Sequence, residues 1–174
     1  MNVLALAAIT IDGFIAKDEH QSPLKWSTKA DLKFYISKST EAYVVIMGRR
    51  TFDTFKTPLQ GRRLIVWTHN PEEVTTDGVE ATSEEPAELI KRLENEGVTT
   101  VAVSGGSAVY RHFLEAGVID ELYLSVIPKA FGTGVSLFDA AVEQEFTLVE
   151  SKVLEDDQTV LLHYKTVKLQ APQA

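Results

Sequence analysis

Three short stretches of this 174-residue chain carry the residue types best suited to chemistry. In "AVSGGSAVY", Gly105 and Gly106 stand between an apolar run and a helix-like segment. Glycines at such a junction let backbone N–H groups approach a phosphate, and a helix starting at Ser107 adds a partial positive charge. The same pattern also suits a plain tight turn, and it is neither G-x-G-x-x-G nor a P-loop. In "MGRRTF", a strand-like run closes at Gly48 and a helix opens with Arg49, Arg50 and Thr51. Guanidinium forks match phosphate oxygens. With Thr68 and His69 at a third strand end, these positions fit an elongated ligand with several phosphates better than three coincidences do. A dinucleotide is the natural candidate, and the extra arginine favours NADPH over NADH.

The third stretch, "LKWSTKADLKFY", holds one acid, Asp31. Thr28-Lys29-Ala30-Asp31 fits a capping box in its acidic form, and the helix dipole favours an acid in the first turn. Local sequence alone favours that structural role. At about 100° per residue, however, Asp31 falls beside Tyr35 at the edge of the stripe formed by Leu32, Tyr35 and Ile36. A carboxyl facing a core-lining pocket has its pKa raised toward a useful range. In "PLQGRR", Arg62 either clamps a carboxylate or snorkels into solvent. His20, His69, His112 and His163 show no metal-ligand spacing, and no G-x-S-x-G elbow is present. No metal site is expected.

The elements that position these residues follow from hydrophobic pattern. Continuous apolar runs, "VLALAAI", "YVVIM", "RLIVWT" and "TTVAVSGG", read as strands buried on both faces. Helices are expected from Thr28 to Ser39, from Arg49 to Phe55, over "SEEPAELIKRLENEG" with Ser83 as cap and Pro86 in the first turn, and over "SAVYRHFLEAG". "DELYLSVIPKAF" alternates up to Pro128, and "EFTLVESKVLED" with "QTVLLHYKTV" reads as an antiparallel hairpin through Asp156-Asp157. The reading is one α/β domain over 1–168, a mostly parallel sheet with helices on both faces and a C-terminal antiparallel hairpin. Residues 169–174 are expected to form a disordered tail. Ligands on such sheets sit at the carboxyl ends of the strands, here after Ile9, Met47, Thr68, Ser104 and Val126.

Composition narrows the function. Net charge −8 argues against nucleic acid or an anionic membrane as the main partner, and the absence of cysteine removes thiol nucleophiles and thiolate zinc sites. The lack of cysteine fits a reducing cytoplasm, and the apolar opening, which lacks a basic leader and reaches Asp12-Gly13 too soon for a signal peptide or a membrane span, reads as a buried strand. The basic residues around the two "GRR" loops, set in an acidic chain, point to a small anionic ligand.

The order of "AAITIDGFIA", a tryptophan four residues before "AD", "VIMGRRTF", "PLQGRR", "SGGSAVY" and "DELYLSVI" resembles dihydrofolate reductase from Leu4 to Tyr164. That resemblance implies the family's three-layer α/β/α sandwich and hydride transfer from NADPH to C6 of 7,8-dihydrofolate, giving tetrahydrofolate, with protonation at N5. It implies that Asp31 binds the 2-amino and N3 edge of the pterin and assists protonation, that Ser125 supports this acid, and that Trp26 orders a nearby water. Leu32, Tyr35 and Phe55 would line the pterin and aminobenzoyl pocket, with Arg62 on the glutamate α-carboxylate. Ala8 and Ile15 fall at nicotinamide positions, Arg49, Arg50, Thr68 and His69 at the 2′-phosphate, and Thr51, Gly105, Gly106 and Ser107 at the pyrophosphate. Gly48, Ala108 and Tyr110 complete the implied cofactor site. "TIDGFIA" with "DELYLSVIPKAFGTG" also resembles the reductase domain of riboflavin biosynthesis, which reduces a ribosylaminopyrimidine phosphate. Lys25 in place of the usual proline, Ser104 beside the glycines and a long Lys17 to Lys25 loop keep that alternative open. A non-catalytic dinucleotide-binding protein is a third reading, and both a monomer and a homodimer are compatible with the resemblance.

Overall fold

The computed structural model describes residues 1–22, 25–155 and 158–168. In chain order the elements are β1 (Asn2–Thr10), β2 (Phe14–Ala16), α1 (Lys29–Ala42), β3 (Val44–Gly48), α2 (Arg49–Asp53), β4 (Arg63–Trp67), β5 (Val79–Thr82), α3 (Pro86–Asn95), β6 (Thr100–Val103), α4 (Ser107–Glu115), β7 (Glu121–Ile127), β8 (Val135–Ser136), β9 (Phe146–Val153) and β10 (Val160–Thr166). Eight strands make one sheet in the order β5-β4-β3-β6-β1-β7-β10-β9, while β2 and β8 form a separate ribbon. From β5 to β7 neighbours run parallel; β10 is antiparallel to β7, and β9 to β10.

Period-two alternation divides the buried runs between two helical layers. Val3, Ala5, Val44, Ile46, Val101 and Val103 pack with Leu89 and Leu93 of α3 and Val109 and Phe113 of α4. Their alternates Leu4, Leu6, Val45, Met47 and Ala102 pack on the other face with Ala42 of α1 and Phe52 of α2. This is the expected three-layer α/β/α sandwich. Each fully buried aliphatic side chain contributes about 1.5–3 kcal/mol of transfer free energy, so the inner strands are the rigid part of the molecule.

Several expectations are corrected. Ser83 does not cap α3: Glu85 holds the N-cap position and Pro86 opens the helix. The proline ring pushes the residue before it out of helical conformation, so the helix cannot start earlier. Ile36 is 45% exposed rather than part of a buried stripe on α1, and Tyr43 is not a strand residue but the C-cap of α1, with φ 65°. The polar stretch before α3 contains an unforeseen strand, β5, and the β2–β8 ribbon was also unforeseen. The hairpin of β9 and β10 is present; its Asp156-Asp157 turn and the 169–174 tail lie outside the described residues.

Candidate active site

The carboxyl ends of the parallel strands open onto two adjoining cavities. The first, about 250 Å³, lies between α1 and the sheet; Asp31, Leu32 and Tyr35 reach it from α1, Ala8 from β1, Ser125 from β7 and Phe55 from beyond α2. The β1–β7 register sets Ala8 directly beside Ser125. Asp31 and Ser125 are both buried, at 8% and 1% exposure. Asp31 is the one formally charged side chain among the described residues lining this cavity.

Local sequence fixes Asp31 at the start of α1. Thr28 is the N-cap, its Oγ1 accepting the Asp31 backbone N–H at 3.2 Å, and that hydroxyl lies 2.8 Å from Thr159 Oγ1 beside β10. Capping therefore ties the helix start to the sheet as well as closing its first turn. Two phenols share the wall. Tyr35 Oη donates to Ser104 Oγ at 3.3 Å, and Tyr110 Oη to the Leu6 carbonyl at 2.5 Å. Burial pushes both phenols above their ordinary pKa, and at Tyr110 the nearby Asp31 carboxylate adds to that rise. Both hydroxyls therefore stay protonated as donors across the physiological range.

The second cavity, about 450 Å³, lies over α2 and the start of α4; Arg49, Arg50, Thr68, His69, Ser107 and Ala108 are on its wall. Gly48 lines it as well. Gly106 is the N-cap of α4 and makes no side-chain capping bond, so the first turn presents backbone N–H groups. Two of the glycines leave no room for a side chain. A Cβ on Gly48 would come within 2.8 Å of Val109, and one on Gly105, at φ +85°, within 2.8 Å of the Tyr110 ring. A Cβ on Gly106 would lie 3.2 Å from Thr51 Oγ1, a tight contact. Arg49 bonds Glu73 at 2.8 Å and Asp53 at 3.2 Å, and Arg50 bonds Glu19 at 2.6 Å. The Glu73 bond leads in raising the Arg49 pKa above its ordinary value. Ser107 Oγ donates to the Ser136 carbonyl on β8.

Ile15, Thr51 and Gly106 line both cavities and form the seam between them. Ala8, Gly105 and Tyr110, expected at the cofactor, line the first cavity rather than the second. Two other expected residues are not brought to a cavity wall. Arg62 does not line the cavity: its backbone N–H donates to Leu59 O at 3.1 Å and its Nη1 to Ser39 Oγ at 2.7 Å. Trp26 is 3% exposed and packs edge-on against Phe131 at 5.2 Å, with its carbonyl accepting Lys129 Nζ at 2.6 Å. Its indole N–H has no hydrogen-bond partner among the described residues. Sequence reasoning missed Ser22 and Tyr123 in the first cavity. Tyr123 was findable, since it lies two residues before Ser125 on the same face of β7; Ser22 sits in a loop with no periodic signal. Among the described residues no group of His, Asp or Glu is arranged to hold a metal ion, and no helix is long and apolar enough to cross a membrane.

The sequence model of dihydrofolate reductase matches residues 2–171, nearly the whole chain. The chain belongs to the dihydrofolate reductase family. A dihydrofolate reductase of Heliothis virescens is 32% identical over 149 residues, covering 79% of this chain and 80% of that protein. Among solved structures, a putative riboflavin biosynthesis protein from Shewanella sp. PV-4 superimposes with a TM-score of 0.81 at 21% identity, covering 96% of this chain and 99% of that one. The Enterococcus faecalis dihydrofolate reductase complexed with NADP(H) and RAB-propyl gives a TM-score of 0.71 at 24% identity, covering 95% and 96%. Membership of this family points to an oxidoreductase, and the fold is common to both kinds of relative.

Proposed function

We propose that this chain is an NADPH-dependent dihydrofolate reductase, with the pterin in the first cavity and the dinucleotide spanning the seam into the second. The observation that carries the substrate assignment is the charge content of the first cavity. Its described wall holds Asp31 as the sole formal charge and no lysine or arginine. A neutral heterocycle with N–H donors suits a buried carboxylate, which accepts from a 2-amino group and the adjacent ring nitrogen. Any anionic part of the substrate, a ribosyl phosphate or the glutamate of a folate alike, would have to be met outside this wall, so the charge content speaks for the ring that Asp31 faces.

The second cavity fits NADPH. Gly106 and the open start of α4 suit the pyrophosphate, while Arg49, Arg50, Thr68 and His69 supply cations and donors for the 2′-phosphate. When bound, NADPH supplies the hydride. The chain's own residues orient the two rings and manage the proton. Asp31 holds the pterin edge and assists protonation at N5, Ser125 supports that carboxylate, and Leu32, Tyr35 and Phe55 hold the ring plane and exclude water. The buried, unpartnered indole N–H of Trp26 suits the ordering of a water, and Arg62, bonded to the lining residue Leu59 but outside the wall, would meet a glutamate carboxylate beyond the chamber. Expected location is the cytoplasm.

The deciding assay is NADPH oxidation by purified protein with dihydrofolate, run beside the ribosylaminopyrimidine phosphate of the riboflavin pathway. Turnover of dihydrofolate is expected. Turnover of the pyrimidine alone would transfer the chain to the riboflavin-type reductases, and NADPH binding without turnover of either would leave a non-catalytic dinucleotide-binding protein.

A further inference from the structure

A pair of hydroxyls on the wall of the first cavity stands apart from Asp31 and Ser125. Tyr35 lies one turn further along α1 than Asp31, and its hydroxyl reaches Ser104, the residue that follows β6, donating to Oγ at 3.3 Å. Both residues line the cavity. Ser104 is fixed by its own main chain, its N–H donating to the Ile46 carbonyl at 2.8 Å. In the sheet β1 lies between β6 and β7, so Ser104 stands two strand spacings, about 10 Å, across from Ser125 on β7. The two are also offset along the strands, since Val103 pairs with Ala5 and Ser125 with Ala8. Met47 and Phe55 continue the wall beyond Ser104. A ring held at its edge by Asp31, at the β7 end, therefore directs whatever it carries past Ser104.

A serine hydroxyl has one proton and two lone pairs. The Tyr35 proton occupies one lone pair, which leaves Ser104 a proton to donate and a second lone pair with which to accept. Donation from Tyr35 also polarises Ser104 into a stronger donor. An apolar group pressed against this pair shuts water out and leaves it unsatisfied, whereas a hydroxyl or an amine completes it. A site built to bond a polar group rejects the analogue that lacks it more strongly than an apolar pocket rejects an added hydroxyl. We propose that Ser104, backed by Tyr35, is a specificity determinant that selects substrates bearing a hydroxyl or amino group on the substituent next to the ring. The proposal rests on the pterin reading and narrows it.

The test compares two pterins that differ by one hydroxyl, 6-hydroxymethyl-7,8-dihydropterin and 6-methyl-7,8-dihydropterin, as substrates for NADPH oxidation, with dihydrofolate beside them. Wild type, Ser104→Ala, Ser104→Thr and Tyr35→Phe are measured. Preference is read as the ratio of kcat/KM, or of inhibition constants against dihydrofolate where turnover is slow. Wild type is expected to favour the hydroxymethyl compound roughly tenfold, the worth of one hydrogen bond. Ser104→Ala should bring the ratio near one by losing on the hydroxylated compound alone, while Ser104→Thr, which keeps a hydroxyl, should retain the preference. Tyr35→Phe should lower the ratio without abolishing it, and it carries the test should Ser104→Ala fail to fold. A wild-type ratio near one overturns the proposal, as does a ratio unmoved by Ser104→Ala and Tyr35→Phe; with dihydrofolate still reduced, the pterin reading stands in both cases. Absence of dihydrofolate reduction removes that reading and this proposal with it.

Discussion

Thr28 and Asp31 are joined by a bond from the Asp31 main chain, its N–H donating to the Thr28 hydroxyl at 3.2 Å. Replacing the Asp31 carboxylate by an amide leaves that capping bond in place. Asp31→Asn is therefore expected to retain the melting temperature and NADPH affinity while turnover falls about 10²–10⁴-fold, the usual weight of a general acid–base group. Steady-state kinetics beside cofactor titration and thermal melts check it. Equal losses in stability, binding and turnover would return Asp31 to a purely structural role.

Thr28 carries the complementary load. Thr28→Val removes the acceptor for the Asp31 N–H and the contact with Thr159, 2.8 Å away. Stability is expected to drop by about 1 kcal/mol, as for other lost N-caps. Denaturant unfolding measures this. An unchanged midpoint would mean that the first turn of α1 is held by packing alone.

The arginines over the second cavity are already engaged by carboxylates, and a phosphate must compete with them. Arg50→Gln is expected to weaken NADPH roughly 10–100-fold, the worth of a charge-assisted bond, while NADH affinity barely moves. Glu19→Gln, which frees Arg50 from its 2.6 Å partner, should shift NADPH affinity the other way. Equal weakening of both cofactors by Arg50→Gln would place the extra phosphate elsewhere.

Asp12 pins the chain after β1 to the segment before β8. Its carboxylate accepts from Thr10 Oγ1 at 2.5 Å, Phe131 N at 3.0 Å and Gly132 N at 2.7 Å. The Thr10 bond leads in lowering its pKa below the ordinary 3.8. A lowered acid pKa gives stabilisation that is complete above the unfolded value and lost as pH falls through the folded one. Amide exchange at Phe131 and Gly132, once divided by the intrinsic rate at each pH, should hence be flat from neutrality to mildly acidic pH and rise only below about 3.8. Asp12→Asn should show the raised exchange at every pH. Loosening already at mildly acidic pH in wild type would assign the pin to another group.

The parts of this molecule legible in sequence are those whose physics is local. β1, β3, β4 and β6 are buried on both faces and announce themselves as unbroken apolar runs. β5 is half polar and at an edge, so nothing in "VEAT" demanded a strand. β2 and β8 are three and two residues long, and their pairing joins Phe14 to Ser136 across most of the chain, a contact that no local period encodes. The site divides in the same way. Glycines and arginines at strand ends were readable because topology places such ends together. Whether Arg62 reaches the chamber depended on the path of the loop at Leu59, and Ser22 enters through a loop whose course tertiary contacts decide. Asp31 lay between these cases, since spacing gave its helix face but only the fold brings Ser125, far along the chain, to the same cavity.

Ile15, Thr51 and Gly106 belong to the walls of both chambers at once. A change of shape at any of the three is therefore felt on both sides, and the two chambers cannot be altered independently there as they can at Asp31 or at Arg49.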